Sequence, residues 1–262
     1  MDQSVSVETR SLTVGGDGLA AQWWVPAREV PDRPPLVLLH EGLGCIAMWK
    51  RFPAALATAT GRRVFAYDRL GYGGSGPLKE PRGTDYLHRY AFEELVQVLD
   101  AEGIEAPVLV GHSDGGSIAL LYASRHRPTA IVTVAAHVHV ETVTLAGIRE
   151  AVHAWNTTDI PERLTKYHGT KTRQIFHAWA DTWQLPAFTH WNIEECLPQI
   201  ACPGLIVQGA RDEYATEAHV EAICRGYGGA ATPLIIPDCG HSPHLQAPDA
   251  LIAAIGDFIA AH

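Results

Sequence analysis

The stretch that decides the fold is PVLVGHSDGG, residues 107–116, which continues as SIALL, residues 117–121. An apolar run typical of a buried strand leads directly into the pattern G-x-S-x-G and then into an apolar helix. The turn between strand and helix must be sharp to lift Ser113 above the sheet, so the residues two before and two after it need minimal side chains. Gly111 and Gly115 meet that need. We therefore predict a strand–turn–helix unit that presents Ser113 as a nucleophile.

Asp114 is the other side chain of this turn that could attack a substrate, since carboxylates also form covalent intermediates. That register would place His112 where a minimal side chain is needed, so Ser113 is the better assignment. Asp114 then begins the helix, where its charge suits the positive end of the helix dipole. The backbone N–H of Asp114 is predicted to be the first donor to an oxyanion.

Length and composition predict one large α/β domain. The chain has 262 residues, of which 47% are hydrophobic and 19% charged, so a substantial core is available and global disorder is not expected. The formal net charge of −9 disfavours non-specific binding to nucleic acid or to an anionic membrane. We expect a small-molecule substrate and leave open the formation of a homodimer.

The start of the chain and its cysteines predict a cytoplasmic protein. Residues 1–10, MDQSVSVETR, are polar and lack a basic start followed by an apolar stretch, so no secretory signal is expected. No apolar run approaches the roughly 18 residues that a membrane span needs. The five cysteines form no CxxC pair, and we expect free thiols in a reducing compartment.

Alternating apolar runs and amphipathic segments predict a doubly wound sheet. Polar–apolar alternation on both sides of the turn GGDG, residues 15–18, predicts an N-terminal antiparallel hairpin. The later strand candidates are residues 35–40, 63–68, 107–111, 130–136, 203–209 and 232–237. The helix candidates are residues 50–60, 85–102, 114–125, 216–225 and 249–261. Together they predict a mostly parallel, eight-stranded sheet with helices on both faces.

Residues 137–199 interrupt this alternation, because they contain no convincing strand. A loop of that length without secondary structure would be implausible, so we predict a helical cap inserted into a core of residues 1–136 and 200–262. The insertion holds four of the seven tryptophans. We predict that Trp155, Trp179, Trp183 and His137 contact the substrate; the alternative is that the tryptophans only pack the cap.

Two later loops offer partners for the serine, which needs an adjacent base to attack at neutral pH. Asp212 follows the strand at residues 203–209, and His241 follows the strand at residues 232–237. Parallel strands end at the same edge of a sheet, so both side chains are expected to meet Ser113 there. Asp212 is predicted to orient His241, which acts as general base.

Three neighbouring residues compete for these two roles. Glu213 adjoins Asp212 but is expected to point elsewhere, and Asp238 precedes the predicted base as a loop-capping candidate. His244 falls near the start of the next helix. We prefer His241 because the preceding Gly240 allows a tight approach.

The second oxyanion donor is expected in the loop HEGLGC, residues 40–45, which follows the strand at residues 35–40. Its glycines allow backbone N–H groups to approach a ligand closely. Gly42 is the candidate donor.

With these segments placed, the chain resembles the α/β-hydrolase superfamily, in its lidded branch of esterase-like and carbon–carbon bond hydrolases. Five segments carry the resemblance over nearly the whole chain: HEGLG at 40–44 with Trp49 behind it, DRLGYGGS at 68–75, GHSDGG at 111–116, GARD at 209–212 and GHSPH at 240–244. Members usually have glycine after the first histidine, whereas this chain has Glu41. That carboxylate either bonds the loop's own backbone, which we favour, or places a charge near the pocket.

The resemblance implies a serine hydrolase that cleaves a small or medium apolar or aromatic carboxylic ester through an acyl-enzyme, without a cofactor. The alternatives are a carbon–carbon bond hydrolase acting on a β-diketone or ring-cleavage product, and a non-catalytic ligand receptor on the same scaffold. The run HVHVE, residues 137–141, places His137, His139 and Glu141 in alternation. Since no further ligand is apparent in the sequence, we predict no metal site.

Overall fold

The computed structural model describes residues 5–262 and contains one eight-stranded sheet. Its strands are β1 (Ser6–Val14), β2 (Asp17–Val25), β3 (Leu36–Leu39), β4 (Val64–Tyr67), β5 (Val108–His112), β6 (Ala130–Val134), β7 (Gly204–Gly209) and β8 (Ala231–Ile236). Residues 1–4 of the predicted core lie outside the described residues.

The strand order is β1-β2-β4-β3-β5-β6-β7-β8. Strand β2 pairs antiparallel with both β1 and β4, and every later pairing in the sheet is parallel. The predicted eight-stranded, mostly parallel sheet with an N-terminal antiparallel hairpin is therefore confirmed. Because β3 and β5 to β8 share a direction, the loops that leave their carboxyl ends gather at one edge.

The described helices cover both faces of the sheet. They are α1 (Phe52–Thr60), α2 (Tyr86–Arg89), α3 (Leu95–Glu102), α4 (Asp114–Arg125), α5 (Thr142–Thr157), α6 (Ile160–His168), α7 (Thr172–Gln184), α8 (Ala218–Gly226), α9 (Pro243–Gln246) and α10 (Pro248–Ala260). A π-helical turn, Tyr90–Glu94, joins α2 to α3. Helices α1 and α10 pack on one face, and α3, α4 and α8 pack on the other.

The apolar strands serve two cores at once. In β3, Leu36 and Leu38 face the core beneath α1 and α10, whereas Val37 and Leu39 face the opposite core. Successive side chains of a strand point to opposite faces, so a strand buried on both faces must be apolar throughout. This explains why these segments read as continuous runs of valine, isoleucine and leucine.

The segment between β6 and β7 is helical and contains α5, α6 and α7. An isolated bridge between His139 and Asn192 ties its two ends together. The division of the chain into a core and a cap at residues 137 and 199 stays a prediction. Among residues 5–262, no helix combines the length and the apolar character required to cross a membrane.

Candidate active site

Ser113 occupies the sharp turn between β5 and α4. Its φ of +53° lies in the left-handed region, which a non-glycine residue adopts only when the surroundings impose it. A Cβ at Gly111 would overlap the backbone of Gly115, and a Cβ at Gly115 would overlap the backbone oxygen of Leu39. Both glycines are therefore required by close backbone packing, which forces the serine up from the sheet.

A chain of hydrogen bonds joins Ser113, His241 and Asp212. The Nε2 atom of His241 is 3.0 Å from the Oγ atom of Ser113, and its Nδ1 atom is 2.9 Å from Oδ1 of Asp212. The imidazole side chain is 12% exposed, whereas the carboxylate is fully buried. The tautomer with the proton on Nδ1 donates to Asp212 and leaves Nε2 free to accept the serine proton.

The carboxylate of Asp212 is held as an anion. Its Oδ1 atom accepts the backbone N–H groups of Tyr214 at 2.8 Å and Ala215 at 3.2 Å. Burial alone would raise the pKa of Asp212, but the hydrogen bond and charge of His241 lower it below its usual value. The loop after β7 therefore keeps a negative charge beside the imidazole.

The tight turn Glu41–Gly44 follows β3 and lines the same cavity as Ser113. We call it the oxyanion turn after the role predicted for Gly42. Two side chains hydrogen-bond its carbonyl groups. Arg69 Nη2 donates to the Glu41 carbonyl at 2.7 Å, and the Tyr72 hydroxyl donates to the Gly42 carbonyl at 2.8 Å. A planar trans peptide directs C=O and the following N–H in opposite directions. The bond to the Glu41 carbonyl therefore points the Gly42 N–H away from Arg69.

Arg69 and Tyr72 belong to the DRLGYGGS segment, which the sequence placed near this edge without indicating these bonds. The signal was weak because either side chain could equally have been a surface residue; Arg69 is in fact 1% exposed.

Asp114 begins α4, and its carboxylate bonds a tyrosine hydroxyl rather than the serine. Its Oδ2 atom accepts the Tyr86 hydroxyl at 3.0 Å, and that hydroxyl in turn accepts Trp183 Nε1–H at 2.9 Å. Burial raises the pKa of Asp114, while the nearby Arg69 opposes that shift. The carboxylate thus fixes the start of the helix and leaves the backbone N–H as the group available to a ligand.

Glu41 does not use the backbone bonds that we favoured for it. Its Oε2 atom is 3.4 Å from Nδ1 of His112, whose Nε2 donates to the His241 carbonyl at 2.7 Å. Burial alone would raise the pKa of Glu41, but the bond and charge of His112 hold it well below its usual value. The departure from the usual glycine therefore places a charge at the pocket and links it, through His112, to the backbone of His241.

A cavity of about 270 Å³ opens above Ser113. Trp179, Trp183 and His137 line it, together with Leu43, Thr144, Ile148, Glu213 and Tyr214. Trp155 does not line this cavity, so the prediction that it contacts the substrate is corrected. Its ring stacks on Phe176 with centroids 4.0 Å apart, because it lies on the side of α5 that packs against α7.

The competing residues have other partners. We expected Glu213 to point elsewhere, but its Oε2 atom accepts the backbone N–H of His241 at 3.1 Å. His244 lies in α9, with its ring centroid 4.8 Å from those of both Trp49 and His112. Neither residue hydrogen-bonds the hydroxyl of Ser113, and among residues 5–262 that hydroxyl is linked to His241 and, through it, to Asp212.

A third residue, His219, joins His139 and Glu141 in the fold, with ligand atoms within 4.8 Å of one another. Their orientation is poorly suited to a metal ion. The rings of His139 and His219 stack with an interplanar angle of 26°, so their in-plane lone pairs do not converge. The Nδ1 atom of His219 accepts the Val138 N–H at 3.2 Å, which leaves the proton on Nε2, 3.0 Å from Glu141.

We expect His244 to weaken the fold in acid. Burial, followed by the charge of His112, lowers its pKa to about 3. The unfolded value is about 6.5, so its contribution to stability is complete above pH 6.5 and is lost as the pH falls toward 3. From pH 8 to pH 5, the free energy of unfolding of the wild type should therefore fall by about 2 kcal/mol more than that of His244→Phe, which has no imidazole to protonate. Urea unfolding at both pH values measures this; parallel losses would contradict it.

The sheet order and the turn at Ser113 define the fold class of the α/β hydrolases. The model of the Alpha/beta hydrolase family matches residues 36–254, and the chain belongs to that family.

Individual relatives match only part of the chain. The chain is 34% identical over 103 residues to a proline iminopeptidase of Lactobacillus delbrueckii subsp. lactis, a match that covers 39% of this chain and 35% of the relative. It thus spans about a third of the length of that relative. It is 29% identical over 206 residues to the human serine hydrolase BPHL, covering 75% of this chain and 69% of BPHL.

One solved structure illustrates the likeness of fold. The 2-hydroxy-6-oxo-6-phenylhexa-2,4-dienoate hydrolase of Rhodococcus sp. strain RHA1 aligns with a TM-score of 0.78 at 16% identity, over 98% of this chain and 100% of that chain. At this identity the likeness shows the fold alone.

Proposed function

We propose that the chain is a serine hydrolase that cleaves a small or medium apolar or aromatic carboxylic ester through an acyl-enzyme on Ser113. The observation that carries this proposal is the relay of His241 between the Ser113 hydroxyl, at 3.0 Å, and the buried Asp212 carboxylate, at 2.9 Å. A nucleophile, a base and an orienting acid in that geometry activate a serine.

In the first half-reaction, His241 Nε2 takes the proton of Ser113 as Oγ attacks the carbonyl carbon. The oxyanion accepts the N–H groups of Gly42 and Asp114, each worth about 3 kcal/mol in the transition state. When the intermediate collapses, the bond to the leaving oxygen breaks and His241 returns the proton to that oxygen. Asp212 stabilises the imidazolium formed in between.

In the second half-reaction, His241 takes a proton from water, and the resulting hydroxide attacks the acyl carbonyl. The bond between Ser113 Oγ and the acyl carbon breaks, and Oγ takes the proton back. This sequence needs no group beyond the chain, the ester and water.

The cavity supports a compact substrate. Its volume of about 270 Å³ is just below the usual range for small-molecule sites. Trp179, Trp183 and Ile148 supply apolar wall, which suits a short acyl chain or an aromatic ring. We infer that the indoles contact the non-reacting part of the ester.

A fluorophosphonate probe tests the nucleophile. The wild type should gain one probe mass, and digestion should locate it on Ser113; the absence of labelling would refute the proposal.

Steady-state assays then separate the possible reactions. The substrates are p-nitrophenyl butyrate as the ester, a vinylogous β-diketone for carbon–carbon cleavage and prolyl-p-nitroanilide for the activity named for one relative. Ester turnover should dominate. A higher kcat/KM on either other substrate would refute the ester assignment, and labelling without multiple turnover would indicate a receptor.

A further inference from the structure

The helical insertion touches the oxyanion turn through His168, the last residue of α6. The Nε2 atom of His168 donates to the Leu43 carbonyl at 2.9 Å, and its Nδ1 atom accepts the Gly73 N–H at 3.0 Å. The residue is 2% exposed. One imidazole therefore bridges the oxyanion turn and the DRLGYGGS loop.

These two bonds define the protonation state of the ring. Because Nδ1 accepts a backbone N–H, its lone pair is free and the single ring proton is on Nε2. Burial lowers the pKa of His168, with Lys171 opposing the charged form and the Leu43 carbonyl and Glu41 favouring it. The neutral ring thus makes a directional contact with both backbone segments.

The peptide that His168 holds closes the oxyanion turn. The Leu43 carbonyl and the Gly44 N–H belong to one planar unit, and that N–H donates to the Glu41 carbonyl at 3.1 Å. Side chains thus hydrogen-bond the carbonyls of the first three residues of the turn: Arg69 that of Glu41, Tyr72 that of Gly42 and His168 that of Leu43. Of these three side chains, only that of His168 belongs to the helical insertion.

A second contact reaches the same turn. A Cβ at Gly42 would lie 2.5 Å from Cδ1 of Trp179, so the indole of α7 rests directly against that backbone. Close by, Lys171 Nζ donates to the carbonyls of Gly73 at 2.8 Å and Ser75 at 2.5 Å. The insertion is therefore docked on the loop that supports the turn as well as on the turn itself.

We propose that His168 is a positioning residue through which the docked insertion aligns the oxyanion turn. The insertion is then part of the catalytic apparatus and more than a cover for the pocket: the N–H of Gly42 is correctly aimed only while His168 holds Leu43. This inference rests on the proposed function, since it assigns a control on the oxyanion donor.

Two substitutions divide the bonds of His168. In His168→Asn, the amide oxygen can take the place of Nδ1 and accept the Gly73 N–H, but no donor reaches Leu43. In His168→Gln, the amide nitrogen can take the place of Nε2 and donate to Leu43, but the Gly73 bond is lost. Each variant thus removes one bond and keeps the other.

We expect His168→Asn to lower kcat for the best ester about 10- to 100-fold, with KM within about threefold, because losing a whole oxyanion donor costs about 100- to 1000-fold. Affinity for a boronic acid that mimics the tetrahedral intermediate should fall in parallel. His168→Gln should stay within about fivefold of the wild type. Lys166→Met, at an exposed position of the same helix, serves as the control and should lose less than about twofold.

Hydrogen exchange of the peptide covering residues 40–45 gives a readout that does not depend on activity. Exchange at Gly44 should accelerate at least about tenfold in His168→Asn and much less in His168→Gln, with circular dichroism confirming that both are folded. Unchanged exchange in the asparagine variant would overturn the inference whether or not the chain hydrolyses esters. Equal losses of kcat in the two variants would also overturn it, because they would indicate a merely structural role. Failure of the proposed function is seen separately, as wild-type protein that the fluorophosphonate does not label.

Discussion

Replacing Ser113 by alanine is expected to lower kcat for the best ester by about 10⁶-fold, because the atom that forms the covalent bond is removed. A residual rate about 10³-fold above the uncatalysed reaction should persist, since the oxyanion donors and the cavity remain. The hydroxyl has its hydrogen bond with His241 at 3.0 Å, at the surface of the cavity. Its removal therefore leaves the packing of the turn intact.

Steady-state kinetics with active-site titration measures this effect. Thermal unfolding is the control: the melting temperature of Ser113→Ala should lie within a few degrees of the wild type, and fluorophosphonate labelling should disappear. Activity above about 1% of the wild type in a preparation free of wild-type protein would remove Ser113 from the mechanism.

Replacing Asp212 by asparagine is expected to lower kcat by about 10⁴-fold with the fold preserved. The backbone N–H groups of Tyr214 and Ala215 both point at Oδ1, so the amide oxygen of asparagine will occupy that position. Its NH₂ group then faces Nδ1 of His241. Nδ1 is 2.9 Å from Oδ1 and 3.0 Å from Oδ2, so an Nδ1–H that still donates to the amide oxygen is repelled by the NH₂ group at the Oδ2 position. This repulsion favours the tautomer with the proton on Nε2, where the ring meets the Ser113 hydroxyl as a donor and no longer acts as a base.

The neighbouring Glu213→Gln variant is a matched control. It removes the same charge one residue away, from a side chain that lines the cavity and accepts the backbone N–H of His241 at 3.1 Å. We expect less than about tenfold loss there. If Glu213→Gln proves as damaging as Asp212→Asn, the effect comes from charge in the loop rather than from the tautomer of His241. An asparagine variant within about 100-fold of the wild type would argue against Asp212 as the orienting acid.

The sequence predicted features that depend on neighbours along the chain. Continuous apolar runs indicated strands buried on both faces, and the spacing of Gly111 and Gly115 indicated the turn that lifts Ser113. Convergence of Asp212 and His241 on that turn followed from the shared direction of parallel strands, although their catalytic roles remain a proposal. The helical nature of residues 137–199 followed from the absence of strand patterns.

Side-chain partners across the fold were not accessible in this way. Trp155 was assigned to the pocket, yet its ring packs on Phe176; Glu41 was assigned to its own loop, yet its carboxylate faces His112. A tryptophan on a helix has the same local pattern whether its face meets a cavity or another helix. The direction of a helix face is decided when the helices pack.

The sequence by itself thus determined the sheet, the turn at Ser113 and the edge at which its partners gather, because hydrophobic periodicity and glycine conformations act over a few residues. Only the tertiary structure decided what holds the oxyanion turn. Arg69, Tyr72 and His168 are separated from it by 28, 30 and 125 positions, respectively, and no local pattern encodes a hydrogen bond between groups that meet only when the chain is folded.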